Sequence, residues 1–406
     1  MFTFTPEIDS TSFDAFMTSH PEVSVTQSSD WARIKTDWSC HRTALYEEDE
    51  LRFCGLAMIR KVLPGVRLLY MPKGPVGDYS DKKALAEYLA GLQRWARRKK
   101  VTVITLDPPA EKYVGPLKTY EDTMPAAANE VIRQFLEAGF IHPPLSKDID
   151  STVQPRFTMV YEIREGDLKK TYNRNTRSRI NRCVNRYVQV GCYGPEGIDD
   201  LVRTVRDTEA RQGIRLRNRA YFERMMTVYG EDAFLINAHW DVDDVLDKTR
   251  REIEEVRQRL TDNPNHKNAT ELNNRITTLS EEADLIRPLA GHGTILPLAT
   301  ALCIRFGKTV HMLYAGTTNG FERLSAQTAV YHNVFEEAAR RGAAFVNLTG
   351  ISGYFDDGLT QFKRNFYPTV HEGIGEFHAH LQPLRGALYR HAMSIYKKRK
   401  QRKHDR

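Results

Sequence analysis

Between residues 242 and 286 the apolar side chains keep a seven-residue beat. Val242, Leu246, Thr249, Ile253, Val256 and Leu260 are separated by four, three, four, three and four positions. Leu272, Ile276, Leu279, Ala283 and Ile286 repeat that pattern further on. Such a repeat gathers the apolar residues into one stripe along a helix, and two stripes bury each other as an antiparallel pair. The turn TDNPNHKN lies between them, and its Pro264, lacking an N–H, ends the first helix. Residues 242–290 therefore read as a coiled-coil helical hairpin inserted into another module. The flanking segments 149–241 and 291–385 must then meet again in space as that module. A stripe of this kind needs no role beyond packing.

Ahead of the insertion the chain alternates short apolar runs with one long amphipathic run. Thr43–Glu47, Phe53–Lys61, Val66–Met71 and Val101–Leu106 read as strands. Lys82 to Lys99 is a helix, with Leu85, Tyr88, Leu89, Leu92 and Trp95 on one face, and Val131 to Ala138 begins another. Residues 1–148 form a first α/β module, and the second half repeats a similar order. With 406 residues and 41% hydrophobic content, a chain of two or three domains has ample core. It contains no run of about 18 apolar residues, so no membrane-spanning helix is expected. The start, MFTFTPEIDS, lacks a basic and then apolar leader, so a cytoplasmic protein is expected. Five scattered cysteines (Cys40, Cys54, Cys183, Cys192, Cys303) show no metal-ligand spacing and read as reduced, packed thiols.

Near the end lies GISGYFDDGLTQFKRNF, residues 350–366. A strand over Ala343–Leu348 leads into a loop bearing Gly350, Gly353 and Gly358, where the backbone can turn tightly or approach a ligand. Lys363 then falls between Phe362 and Phe366. Read alone, it is either a surface lysine with a buried stem or a cation aimed at a site.

These residues keep company that resembles the Fem family (FemA-, FemB-, FemX- and MurM-type), the ligases that use aminoacyl-tRNA to build the peptidoglycan cross-bridge. HPEVSVTQSSDWARIK (20–35) is similar to its Gln-Ser-x-x-Trp-x-x-x-Lys element, LLYMPKGPVGD (68–78) to its Gly-Pro turn, and ITLDPP (104–109) to its strand ending in Asp-Pro. NRNTRSRINRCVNRYVQV (173–190), RQGIRLRNRAYFERMM (211–226), LYAGTTNG (313–320) and the Phe-Lys-x-x-Phe segment follow in the family's order.

The resemblance implies an α/β fold of two acyl-CoA N-acyltransferase-like (GNAT-like) modules, with the hairpin that FemA-, FemB- and MurM-type members carry. It also implies aminolysis of an ester: an amine of a lipid-linked or UDP-linked muramoyl-pentapeptide attacks the aminoacyl ester of a charged tRNA, with alanine, serine or glycine as cargo. The ester is already activated, so no cofactor and no metal are expected. Lys363 is implied as the charge-stabilising residue, beside Phe362. Asp107 is implied as the group that orients or deprotonates the amine, although an Asp before two prolines also simply starts a turn. Lys35, Arg217, Tyr221 and Tyr314 are implied as precursor contacts, a set suited to diphosphate and carboxylate groups.

The basic run Arg174, Arg177, Arg179, Arg182 and Arg186 is the best candidate to meet tRNA phosphates, with Arg179, Arg182 and Arg186 on one helix face; a solvated face is the plainer reading. Residues 396–406 hold seven Lys/Arg against one Asp, most of the net charge of +7. This basic tail (386–406) reads as a solvated end, a contact for tRNA phosphates or a contact with an anionic surface. For a lipid-linked substrate the last, at the inner face of the plasma membrane, is the better functional reading. Two other functions compete. An acyl-CoA-dependent N-acyltransferase would need a Gly-rich pyrophosphate turn, of which no clean copy occurs. A non-catalytic RNA-binding protein would need aromatic arrays that are not evident. Nucleophile-elbow, Walker A and dinucleotide fingerprints are also missing.

Overall fold

A computed structural model describes residues 1–263, 266–291 and 293–382. The hairpin turn at Pro264 and the basic tail lie outside the described residues. The fold is α/β, built on two mixed sheets. The first runs Phe2–Thr5, Ser39–Glu47, Glu50–Leu63, Val66–Met71, Val103–Leu106, Phe377–His380, with Val76–Gly77 paired on Glu50–Leu63. The second runs Glu111–Pro116, Thr369–Gly373, Phe157–Glu162, Phe345–Ile351, Thr309–Thr317, Ile295–Phe306, Ala233–Asp241, Gln189–Tyr193.

One unit occurs in both sheets. Val66–Met71 and Val103–Leu106 are parallel, joined across the helix Lys82–Arg98. Thr309–Thr317 and Phe345–Ile351 are likewise parallel, joined across the helix Ala326–Arg340. A parallel pair needs such a crossover, and the amphipathic helix covers the sheet it leaves. Leu85, Tyr88, Leu89, Leu92 and Trp95 are all buried, as their spacing predicts.

A division at residue 148 does not hold for every strand. Glu111–Pro116, from the first stretch of chain, pairs with Thr369–Gly373 in the second sheet. Phe377–His380, from the last stretch, pairs with Val103–Leu106 in the first. Strand patterning says which residues face a core, not whose core it is. The modules also share one apolar cluster, in which Phe13, Trp31, Leu56 and Tyr70 meet Leu201, Phe222, Leu302 and Ile304.

The hairpin is formed by Val242–Asp262 and Ala269–Ile286. Val242, Thr249, Val256, Leu279, Ala283 and Ile286 are buried as expected. At its base Val245 is buried while Leu246 is half-buried, because there the helix packs on the sheet core as well as on its partner. Polar ties fix its orientation: Arg186 pairs with Glu282 at 2.8 Å, and the Tyr187 hydroxyl donates to Glu252 at 2.7 Å.

Candidate functional site

The helix Gly358–Lys363 starts where Asp357 accepts hydrogen bonds from the backbone of Leu359 and Thr360. It ends by burying Lys363, which is 2% exposed. Lys363 is therefore no surface lysine. Its Nζ donates to the Gly350 carbonyl at 2.9 Å. Burial outweighs the attraction of Asp357 and lowers its pKa to about 7. Phe362 and Phe366 pack on Tyr331, with ring centroids 4.9 and 5.6 Å away. Gly350 is required by close approach, since a Cβ there would sit 2.5 Å from Pro155. The strand is irregular between Asn347 and Gly350, and Thr349 has φ 65°. A β-branched residue in that region is strained, and such strain clusters at functional sites.

Gly350 and Thr349 belong to the wall of a cavity of about 410 Å³ between the two modules. Glu22, Lys73, Arg156, His311 and His371 also face it. Lys363 lies behind the Gly350 wall. Asp107 is 4% exposed, with Lys73 between it and the cavity; the Lys73 Nζ is 3.2 Å from Asp107 Oδ2. Burial raises the Asp107 pKa, and Lys73 opposes the rise. Gln27 holds the turn that carries Lys73: its amide donates to the Pro72 carbonyl and its Oε1 accepts from Leu56 N at 2.8 Å. Ser28 caps the next helix by accepting from Trp31 N at 3.1 Å. The Gln-Ser-x-x-Trp element is thus largely a clamp.

Lys35, Arg217, Tyr221 and Tyr314, far apart in sequence, come together in one cluster. The Lys35 Nζ donates to the Tyr221 hydroxyl at 2.9 Å and sits 4.6 Å from the Trp31 ring centroid. The Arg217 guanidinium lies 5.0 Å over the Tyr221 ring, and Tyr221 meets Tyr314 edge-on at 6.4 Å. Burial first, and Arg217 second, lower the Lys35 pKa to about 8. Burial raises that of Tyr221. The strand irregularity opposite Leu302 and Cys303 leaves Leu313 facing the cavity and Tyr314 in the cluster. Two crowded cations with hydroxyls in hydrogen-bond reach have the chemistry to hold an anion. Tyr221→Phe removes the hydroxyl that aims Lys35, and a roughly 5- to 20-fold rise in the Kd of a diphosphate-bearing ligand at this cluster is expected, read by equilibrium binding.

The three arginines of the basic helix do not act as one face. Arg186 caps the helix Arg174–Asn185 from outside it and is engaged by Glu282. Arg182 donates to the Arg323 carbonyl at 3.2 Å. Both line an open groove of about 510 Å³ with Arg174, Arg177 and the hairpin's Arg275. Arg179 is half-buried and points elsewhere than this groove. Arg174 and Arg177, which open the basic run read for tRNA contact, join the groove, whereas Arg275 and Lys73 were not singled out by sequence. Among the described residues no group of three His, Cys, Asp or Glu could hold a metal ion, and no helix is long and apolar enough to cross a membrane.

A model of the FemAB family matches residues 8–394, so it spans the Lys35 cluster, the cavity and the Lys363 helix together. The chain belongs to the FemAB family. Similar proteins include lipid II:glycine glycyltransferases of Staphylococcus haemolyticus, 27% identical over 388 residues, and of Staphylococcus saprophyticus, 28% identical over 385 residues. In each case the match covers 90% of this chain and 90% of the relative. This FemAB chain also superimposes on the crystal structure of FemX with a TM-score of 0.72 and 25% identity, covering 95% of this chain and 99% of that one.

Proposed function

We propose that this FemAB protein is an aminoacyltransferase of peptidoglycan cross-bridge synthesis. It moves one amino acid, with glycine the first choice, from aminoacyl-tRNA to an amine of a lipid-linked muramoyl-pentapeptide precursor. One observation carries the reading: relatives named lipid II:glycine glycyltransferases match along 90% of both chains. The acceptor nitrogen attacks the ester carbonyl and forms the amide C–N bond. The ester C–O bond breaks, and the amine proton ends on the ribose hydroxyl of the departing tRNA.

Each site feature has a place in that step. The Lys35, Arg217, Tyr221 and Tyr314 seat suits the precursor diphosphate. Lys363, held on the Gly350 carbonyl at 2.9 Å, is within a short shift of the cavity wall and supplies charge to the tetrahedral oxygen. Asp107 pairs with Lys73 at that wall. The arginine groove takes tRNA phosphates electrostatically. Arg177→Ala is then expected to weaken tRNA binding and to lower the slope of log K against log salt by about 1. The basic tail suits a peripheral contact with the inner membrane face.

The test is transfer of radiolabel from tRNA charged with glycine, alanine or serine onto lipid-linked and UDP-linked precursor, with Lys363→Ala as control. Label on the precursor from one charged tRNA, lost in the variant, is expected. No transfer from any of them overturns the reading in favour of acyl-CoA chemistry or binding alone.

A further inference from the structure

Lys73 is the cavity cation that the reaction above leaves without a substrate contact. Its backbone has φ 49°, a conformation that glycine adopts freely and a lysine only at some cost. The turn is nevertheless fixed on all sides. Gly74 bridges to Asp107, and a Cβ on Gly74 would meet Gln27 and Met71 at 2.9 Å. The strained position thus points one particular side chain at Asp107 and the cavity.

An ammonium has three N–H groups. That of Lys73 lies 3.4 Å from the Pro155 carbonyl and 3.2 Å from Asp107 Oδ2, and the side chain is 21% exposed toward the cavity. One donor direction therefore remains open. The other basic groups on the wall are engaged: Arg156 by Glu372, and His371 by Glu111 at 2.7 Å. His311 accepts from the Val25 backbone and is kept neutral by burial. His20 is satisfied by the Phe16 carbonyl at 3.0 Å. Asp107, 4% exposed, lies behind Lys73 and holds that ammonium at the cavity wall.

We propose that Lys73 binds a substrate carboxylate in the intermodule cavity, with Asp107 as its positioning residue. The ligand identity rests on the aminoacyl-transfer reading. A stem peptide attached through its N-terminus ends in a free carboxylate, and Lys73 receives that group while the acceptor amine stands by the Gly350 wall. Anchoring both the diphosphate and the peptide end fixes the amine between them.

Equilibrium binding of lipid-linked muramoyl-pentapeptide in detergent micelles and of its C-terminal carboxamide tests this with wild type, Lys73→Met, Lys73→Arg and Asp107→Asn. Wild type should bind the acid about 10- to 100-fold more tightly than the amide. Lys73→Met should lose that preference, Lys73→Arg should keep most of it, and in transfer assays the Lys73→Met loss should fall on KM more than on kcat. A preference that survives Lys73→Met overturns the proposal. So does an Asp107→Asn variant that keeps the acid preference but loses kcat and the acid limb of its pH profile, for Asp107 would then be the base. The wild-type acid-to-amide ratio is readable even where a variant fails to fold. Binding without discrimination overturns this assignment alone; binding of neither form overturns the transfer reading with it.

Discussion

Lys363→Met is expected to lower kcat by about 100- to 1,000-fold while the protein melts no lower than wild type. The two halves of that result share a cause. A lysine 2% exposed, bonded to a carbonyl and with no carboxylate in contact, is held where its charge is poorly solvated. Methionine fills a similar volume and removes the penalty, at the loss of one hydrogen bond to Gly350. A stability cost kept at a single buried cation is the pattern of a functional residue.

The pH dependence has a definite sign. The pKa of Lys363 is about 7 in the fold and 10.5 as the ordinary value, so between those limits the unfolded chain binds the extra proton. Stability contributed by this group therefore rises as pH increases from about 7 to 10.5, and the rise is missing in Lys363→Met. Urea midpoints of both proteins at pH 7 and pH 9 measure the difference. A variant that melts well below wild type at both would mean that Lys363 is a structural tie.

Glu372→Gln is expected to destabilise the fold by about 3–5 kcal/mol, read as a lower urea midpoint with little change in slope. Glu372 is fully buried. It accepts from Lys112 at 3.0 Å, from Arg156, and from the Tyr120 hydroxyl at 2.9 Å. Removing its charge leaves Arg156 buried without a carboxylate, whereas Lys112 keeps Asp122. The damage should concentrate where Glu111–Pro116 joins Thr369–Gly373. A loss below about 1 kcal/mol would mean that water enters and solvates Arg156.

Local structure was open to sequence reading wherever one face of an element meets one core. Val66–Met71 has the bounds its pattern predicts, and the Lys82 helix misses by a single residue. The helix at Ala126–Glu137 begins five residues before its first strongly apolar position, because Pro125 and three alanines start a helix without an apolar stripe. Sheet membership was not legible: the residues of Glu111–Pro116 carry no mark of which sheet they join. At the site, Lys35 and Tyr221 were named through family order, and only the fold brings them to 2.9 Å. Lys73 escaped notice because a lysine before Gly-Pro reads as an ordinary turn residue. Its meaning comes from Asp107, 34 positions away in sequence and 3.2 Å away in space.

The two exchanged strands have a mechanical consequence. Each sheet is completed by a piece of chain that first had to leave the other, as two hands hold each other's wrists. Such a clasp cannot swing open like a shell without tearing strands from their ladders. The cavity between the two sheets is therefore held closed on both sides by these clasps, and entry must depend on side chains and loops at its rim. For the same reason, a gene cut near its middle should yield two fragments that fold only in each other's presence.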